Sequence, residues 1–77
     1  MPHVEIKCYP GRTGEQKRNC AEQTALVIAE TLGCDVSHVT VAIKDVARED
    51  WKSQVWDVSI APDVENLYKK PGYTCEG

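Results

Sequence analysis

The chain contains no phenylalanine, one methionine, two tryptophans and three tyrosines. Any core built from it must therefore be aliphatic, and the supply is short: nine valines, four isoleucines and three leucines among 77 residues. That is about a fifth of the chain, just above the level at which scarce aliphatics and high net charge signal disorder. The formal net charge is only −3, which argues for a folded chain with a thin core. A domain of this size buries only about 60% of the surface its unfolded chain exposes. Disulfides, a bound metal or further copies of itself are the ways such a chain gains stability.

Other absences narrow the class. No run approaches the roughly 20 apolar residues needed to cross a bilayer. The opening residues Met1-Pro2-His3-Val4-Glu5 lack the basic and apolar regions of a secretory leader. The closing residues Tyr73-Thr74-Cys75-Glu76-Gly77 place cysteine third from the end, which is not a prenylation box. A cytoplasmic protein with no membrane contact is the expectation. Nine Lys and Arg against twelve Asp and Glu leave no basic footprint, so no nucleic-acid partner is expected. Cys8, Cys20, Cys34 and Cys75 lie in four separate contexts without CxxC spacing. Read with a reducing compartment, they are expected to be free thiols acting mostly as small buried hydrophobes. No metal site is expected, since His3 and His38 add no local ligand pair; a set of Cys8, His3 and Cys75 is the only alternative. Self-association is then the remaining route to stability.

What is present is patterned. From His3 to Tyr9 the residues alternate, with Val4, Ile6 and Cys8 on one face of a strand and His3, Glu5, Lys7 and Tyr9 on the other. Pro10-Gly11 breaks it. Thr13 followed by Gln16 forms a capping box for a helix from Gly14 to Leu32, and Gly33 suits its end. At about 100° per residue, Cys20, Ala21, Thr24, Ala25, Val27, Ile28, Thr31 and Leu32 share a stripe. Arg18 and Glu22 form an i,i+4 pair opposite, and Leu26 stands among the polar residues as an ordinary exposed leucine or a subunit contact. Val39 to Ile43 reads as a second strand. After a polar stretch containing Trp51, residues Ile60, Val64, Leu67 and Tyr68 suggest a short helix, with Pro62 in its first turn and Pro71-Gly72 at its end.

Strand, helix and strand make one βαβ unit with parallel strands and a right-handed crossover. The expected class is α/β (α+β), a single domain over residues 1–77 with a short C-terminal helix. Parallel strands are usually buried on both faces, and two of them leave both edges open. A homo-oligomer that completes the sheet follows.

The catalytic inventory is sparse: no Ser–His–Asp pattern, glycine-rich phosphate loop, HExxH or spaced carboxylate pair is present. Only the start of the first strand is chemically unusual. Removal of Met1, which a small second residue permits, leaves Pro2 with a secondary amine. An α-amino group titrates near 8 in model peptides, and desolvation or neighbouring cations lower that further. Such a group is a general base near neutral pH. Equally, proline is tolerated as the first residue of a strand without any chemistry.

The order Met1-Pro2 before a short strand, Pro10-Gly11-Arg12, then Glu15-Gln16-Lys17 opening a helix, Thr31-Leu32-Gly33, the strand Val39 to Ile43 and Asp45-Val46 resembles the 4-oxalocrotonate tautomerase family. The tail, with Trp51, Trp56-Asp57, Ile60-Ala61-Pro62 and Lys69-Lys70-Pro71-Gly72-Tyr73, resembles its dimeric, PptA-type branch. The resemblance implies a tautomerase (MIF-like) fold and an isomerase that interconverts the enol and keto forms of a 2-oxo acid without a cofactor. It implies Pro2 as general base, Arg12 as holder of the substrate carboxylate, and Trp51 as an aromatic wall. His3 and Thr40 are neighbouring candidates. Thr40 stands where founding members carry a second arginine, so a simpler substrate such as an aryl pyruvate enol is expected rather than 4-oxalocrotonate. The implied partner is the chain itself, as a homodimer or a hexamer. The competing expectation is a non-catalytic βαβ assembly or ligand-binding protein, with Pro2 merely opening a strand.

Overall fold

A computed structural model describes residues 1–75. The chain divides into two compact units, Met1–Asp45 and Val46–Gly77.

The first unit is the βαβ element. Strand β1 (His3–Cys8) runs parallel to β2 (Thr40–Asp45), in a register from His3 opposite Thr40 to Cys8 opposite Asp45. Alternation puts His3, Glu5 and Lys7 on one face with Thr40, Ala42 and Lys44. Val4, Ile6 and Cys8 share the other with Val41, Ile43 and Asp45. Helix α1 (Gly14–Leu32) packs on β2, and Lys17 Nζ donates to Asp45 Oδ2 at 2.8 Å, tying its first turns to the strand's end.

Both ends of α1 follow from local chemistry. The Gln16 N–H donates to Thr13 Oγ1 at 3.1 Å, and the Thr13 N–H donates to Gln16 Oε1 at 2.8 Å. Gly33 ends the helix at φ 73°, a left-handed conformation that costs a side chain about 1–2 kcal/mol. Its N–H donates to the Ala29 carbonyl. The half-buried face of α1 is Lys17, Ala21, Thr24, Ala25, Ile28 and Ala29. Four members of the expected stripe lie outside it: Cys20, Val27, Thr31 and Leu32 are exposed, Val27 by 56% and Leu32 by 66%. A two-stranded sheet is too narrow to cover the whole stripe. Leu26 is exposed as expected.

Three expectations are corrected in this unit. The second strand begins at Thr40 rather than Val39, because the Val39 N–H is committed to the Val36 carbonyl in the 3₁₀ turn Val36–His38. It continues through Asp45, since Lys44 and Asp45 still have strand partners in Lys7 and Cys8. The Arg18–Glu22 pair is not among the ion pairs of the described residues. Both side chains are exposed, where such a pair gains little and pays side-chain entropy.

The second unit is helical from Arg48 to Asn66 with uneven winding. A 3₁₀ turn (Arg48–Asp50) leads through Trp51 into a π-helical segment (Lys52–Ile60), then a 3₁₀ segment (Ala61–Asn66). Lys52 Nζ donates to Asp57 Oδ2 at 3.1 Å, a five-residue spacing that fits the wider turn. The short helix expected around Ile60 to Tyr68 is thus both earlier and differently wound. Leu67 and Tyr68 lie beyond it, where the Leu67 N–H closes the last turn on the Val64 carbonyl. The rings of Trp56 and Tyr73 meet at 5.3 Å between centroids.

Among the described residues only Val46 and Val55 are buried, both in the second unit. The βαβ layer of a single chain encloses no buried side chain, so its two-stranded sheet is incomplete without further copies. The cysteines are free, as expected, but less buried than expected: Cys8, Cys34 and Cys75 are half-buried and Cys20 is exposed. His3 and Cys8 stand on opposite faces of β1, which separates two members of the alternative metal set. No helix among the described residues is long and apolar enough to cross a membrane.

Candidate active site

Of the residues singled out in the sequence, Pro2, His3, Arg12 and Thr40 lie in the first unit and Trp51 in the second. Pro2, His3 and Thr40 come together at the head of the sheet. The Thr40 N–H donates to the Pro2 carbonyl at 3.2 Å, extending the ladder one step beyond β1 and fixing the half-buried proline against β2. Met1 is 97% exposed, so the residue that caps the proline nitrogen projects into solvent. His3 lies directly across from Thr40 in the register, and its Nδ1 is 2.6 Å from Thr40 Oγ1. The local sequence does not pair these two side chains; they are 37 positions apart and only the parallel register joins them.

Arg12 is elsewhere. Its guanidinium donates to the Tyr9 carbonyl at 3.0 Å, which holds it just past the C-terminal end of β1. There it borders a groove of about 240 Å³ between sheet and helix, with Ile6, Cys8 and Ile43 on the strands and Gln16, Lys17 and Cys20 on α1. The six residues of β1 separate this end from Pro2, roughly 20 Å at the usual rise per strand residue. Trp51 belongs to the second unit. It is half-buried and joins the 3₁₀ turn to the π-helical segment.

The face that carries His3 and Thr40 also carries an ion cluster the sequence reading did not single out. Glu5 bridges Lys7 at 3.7 Å and Lys44 at 3.3 Å. Lys7 and Lys44 are opposite each other in the register, and the carboxylate between them offsets a like-charge pair that would weaken the strand contact. The Lys44 ammonium, by hydrogen bond and charge, holds the Glu5 carboxyl below the usual carboxylate range, with Lys7 adding to it. The signal available in the sequence was the charge at alternate positions, Glu5 and Lys7, on the strand's polar face. At the turn before β2, the Asp35 carboxyl is likewise lowered, because it accepts from the Ser37 N–H at 2.8 Å.

The head of the sheet thus holds Pro2, with Met1 on its nitrogen, beside the Thr40 hydroxyl and the His3 imidazole, and the Glu5, Lys7 and Lys44 cluster lies further along the same face. The family model described as "Tautomerase enzyme" matches residues 2–58. Tautomerase PptA of Enterobacter sp. (strain 638) is 48% identical over 75 residues, covering 96% of this chain and 99% of that one. Tautomerase PptA of Cronobacter sakazakii is 42% identical over 74 residues, covering 95% and 97%. Among solved structures, YwhB, a homologue of 4-oxalocrotonate tautomerase, aligns with a TM-score of 0.59 at 36% identity, over 61% of this chain and 77% of that one. A second 4-oxalocrotonate tautomerase homologue aligns with a TM-score of 0.61 at 25% identity, over 66% and 81%.

Proposed function

The chain belongs to the 4-oxalocrotonate tautomerase family of isomerases, and from that premise we propose that it is a single-domain, cofactor-independent tautomerase interconverting the enol and keto forms of a 2-oxo acid, with Pro2 as general base once Met1 is removed. The observation that carries this reading is the seat of Pro2. Its carbonyl is tied to the Thr40 N–H while its nitrogen remains outside the ladder, at the edge where His3 and Thr40 present polar atoms.

The chemistry balances without a further reactant. In ketonisation the Pro2 amine takes the proton of the enol hydroxyl. The O–H electron pair becomes the new C=O bond, and the electrons of the C=C bond take a proton from the Pro2 ammonium at the adjacent carbon. The amine is left as it began. Thr40 donates a hydrogen bond to the oxygen that gains charge on the way, and His3 adjoins it. Because Thr40 supplies a dipole and no charge, a substrate with one carboxylate, such as an aryl pyruvate enol, fits better than a dicarboxylate. Arg12 binds that carboxylate through both oxygens, and Trp51 packs on the apolar part.

Arg12 and Pro2 stand at opposite ends of one β1. A small 2-oxo acid therefore meets both only when Arg12 comes from a second copy, and the functional assembly is a homo-oligomer, a homodimer as in the branch the tail resembles or a hexamer. The test is direct. Intact mass of the purified protein shows loss of Met1, and Pro2→Ala removes ketonisation of an aryl pyruvate enol followed by ultraviolet absorbance. Retention of wild-type turnover in Pro2→Ala refutes the base.

A further inference from the structure

His3 Nδ1 approaches Thr40 Oγ1 to 2.6 Å, and this constrains what Thr40 can do. A threonine hydroxyl has one hydrogen to donate and two lone pairs. If His3 Nδ1 is bare, as in the neutral Nε2–H tautomer, it takes that hydrogen, and Thr40 offers any third group only lone pairs. If Nδ1 carries a proton, as in the imidazolium, it donates to Oγ1 and the hydroxyl hydrogen is left free to point elsewhere. The two atoms are held to this choice by the backbone. His3 and Thr40 are direct register partners, and the Thr40 N–H to Pro2 carbonyl bond locks the adjoining step of the ladder.

We propose that His3 is a positioning residue that sets Thr40 as donor or acceptor: with the imidazolium, Thr40 donates to the carbonyl oxygen of a bound 2-oxo acid, and with the neutral Nε2–H tautomer, whose Nδ1 is bare, it does not. This rests on the proposed site at Pro2 and extends it to specificity for the oxo group. Protonation of the imidazole puts a hydrogen on Nδ1, so discrimination for a 2-oxo group over a methylene is strongest where His3 is protonated. The charged groups on the same face are Glu5 and Lys7 on β1 and Lys44 on β2, with the terminal amine beside His3. Of these, Glu5 is already committed to the two lysines. Helix α1 lies over the opposite face, with Lys17 at Asp45, and His38 is in the turn that leads into β2.

The experiment compares two probes of equal charge by titration calorimetry. Benzoylformate is an aryl 2-oxo acid with no hydrogen to enolise, so its binding is independent of turnover. Phenylacetate has a methylene in place of the carbonyl. Any effect of Arg12 on the carboxylate enters both affinities and cancels in their ratio, whereas a step owed to the Pro2 ammonium at the oxo group would survive in Thr40→Val. In the wild-type protein the preference for benzoylformate is expected to fall roughly three- to tenfold, the worth of one hydrogen bond, as rising pH takes the proton from the imidazole. In Thr40→Val and in His3→Ala the ratio is flat with pH, and Thr40→Ser keeps the step. A flat ratio in the wild type, a step that survives in Thr40→Val, or no benzoylformate binding at any pH overturns the proposal. Failure of Pro2→Ala to lose turnover would instead remove the proposed base and leave this ratio as it stands.

Discussion

If the working site joins Pro2 of one chain to Arg12 of another, two inactive variants must restore each other. Pro2→Ala removes the secondary amine, and loss of a general base costs on the order of 10²–10⁴ in rate. Arg12→Ala removes a charge-assisted contact with the carboxylate, on the order of tenfold to a hundredfold in kcat/KM. The structure then decides what happens on mixing. Pro2 is tied at the head of β1 and Arg12 to Tyr9 beyond its tail, about 20 Å apart at 3.3 Å per residue. An extended arginine covers only a fraction of that span, so within one chain the two groups serve different sites.

In a twofold dimer each mixed pair carries one site with both native groups and one site with neither. Random exchange makes half of the dimers mixed. Equal amounts of the two variants, unfolded and refolded together, are therefore expected to recover about a quarter of the wild-type rate. Dimers purified through two different affinity tags approach half. Ketonisation of an aryl pyruvate enol is the assay, with each variant refolded alone as the baseline. If the mixture is no more active than the two baselines added together, Pro2 and Arg12 do not act in trans, and the reasoning from the length of β1 fails.

Stability carries two further predictions. Thr13→Ala deletes the hydroxyl that accepts from the Gln16 N–H, and is expected to cost about 1 kcal/mol; at this chain length that is a fall of roughly 4–8 °C in Tm, read by circular dichroism at fixed protein concentration. The Glu5 carboxyl is lowered chiefly by Lys44, so the folded state favours its ionised form. The stability this supplies is complete above the ordinary glutamate value near 4.3 and is lost as pH falls through the lowered folded value. Glu5→Gln is expected to flatten that part of the acid-side loss in a series of thermal melts, and 1 M salt is expected to shrink the difference between the two proteins. An unchanged acid slope in the variant would refute the assignment.

Features of α1 that rest on chemistry within a few residues were legible in the sequence. Thr13, Gln16 and Gly33 mark its ends because each satisfies or bends the backbone nearest to it. Features that depend on a partner were not. Val39 has the composition of a strand residue, yet its N–H is taken by the turn before it. The π-helical winding at Lys52–Ile60 has no simple apolar period, and only the Lys52–Asp57 spacing hints at it. The exposed half of the α1 stripe shows the same limit from the other side. Cys20, Val27 and Thr31 follow a helical period correctly, and the two-stranded sheet of the first unit leaves them exposed. In the candidate site, Pro2 stood out by its chemistry, whereas the pairing of His3 with Thr40 arises from a register that no local spacing encodes.

The open side of α1 and the distance between Pro2 and Arg12 have a common origin. A βαβ unit with two strands offers one short sheet, so its helix cannot be covered and the two ends of its first strand cannot meet. Adding strands from a second copy addresses both at once: an edge is paired, an apolar flank gains a neighbour, and the tail of one β1 can approach the head of another. The thin aliphatic supply, sixteen large residues in 77, is thereby consistent with a site that exists only in the assembly. A substitution that weakens association should then lower activity at dilute protein in parallel with the loss of dimer, even though it touches neither Pro2 nor Arg12. Val27→Glu on the exposed flank of α1 is expected to be such a change. Specific activity that falls with dilution along the same curve as the sedimentation coefficient meets this expectation, and a fully active monomer contradicts it.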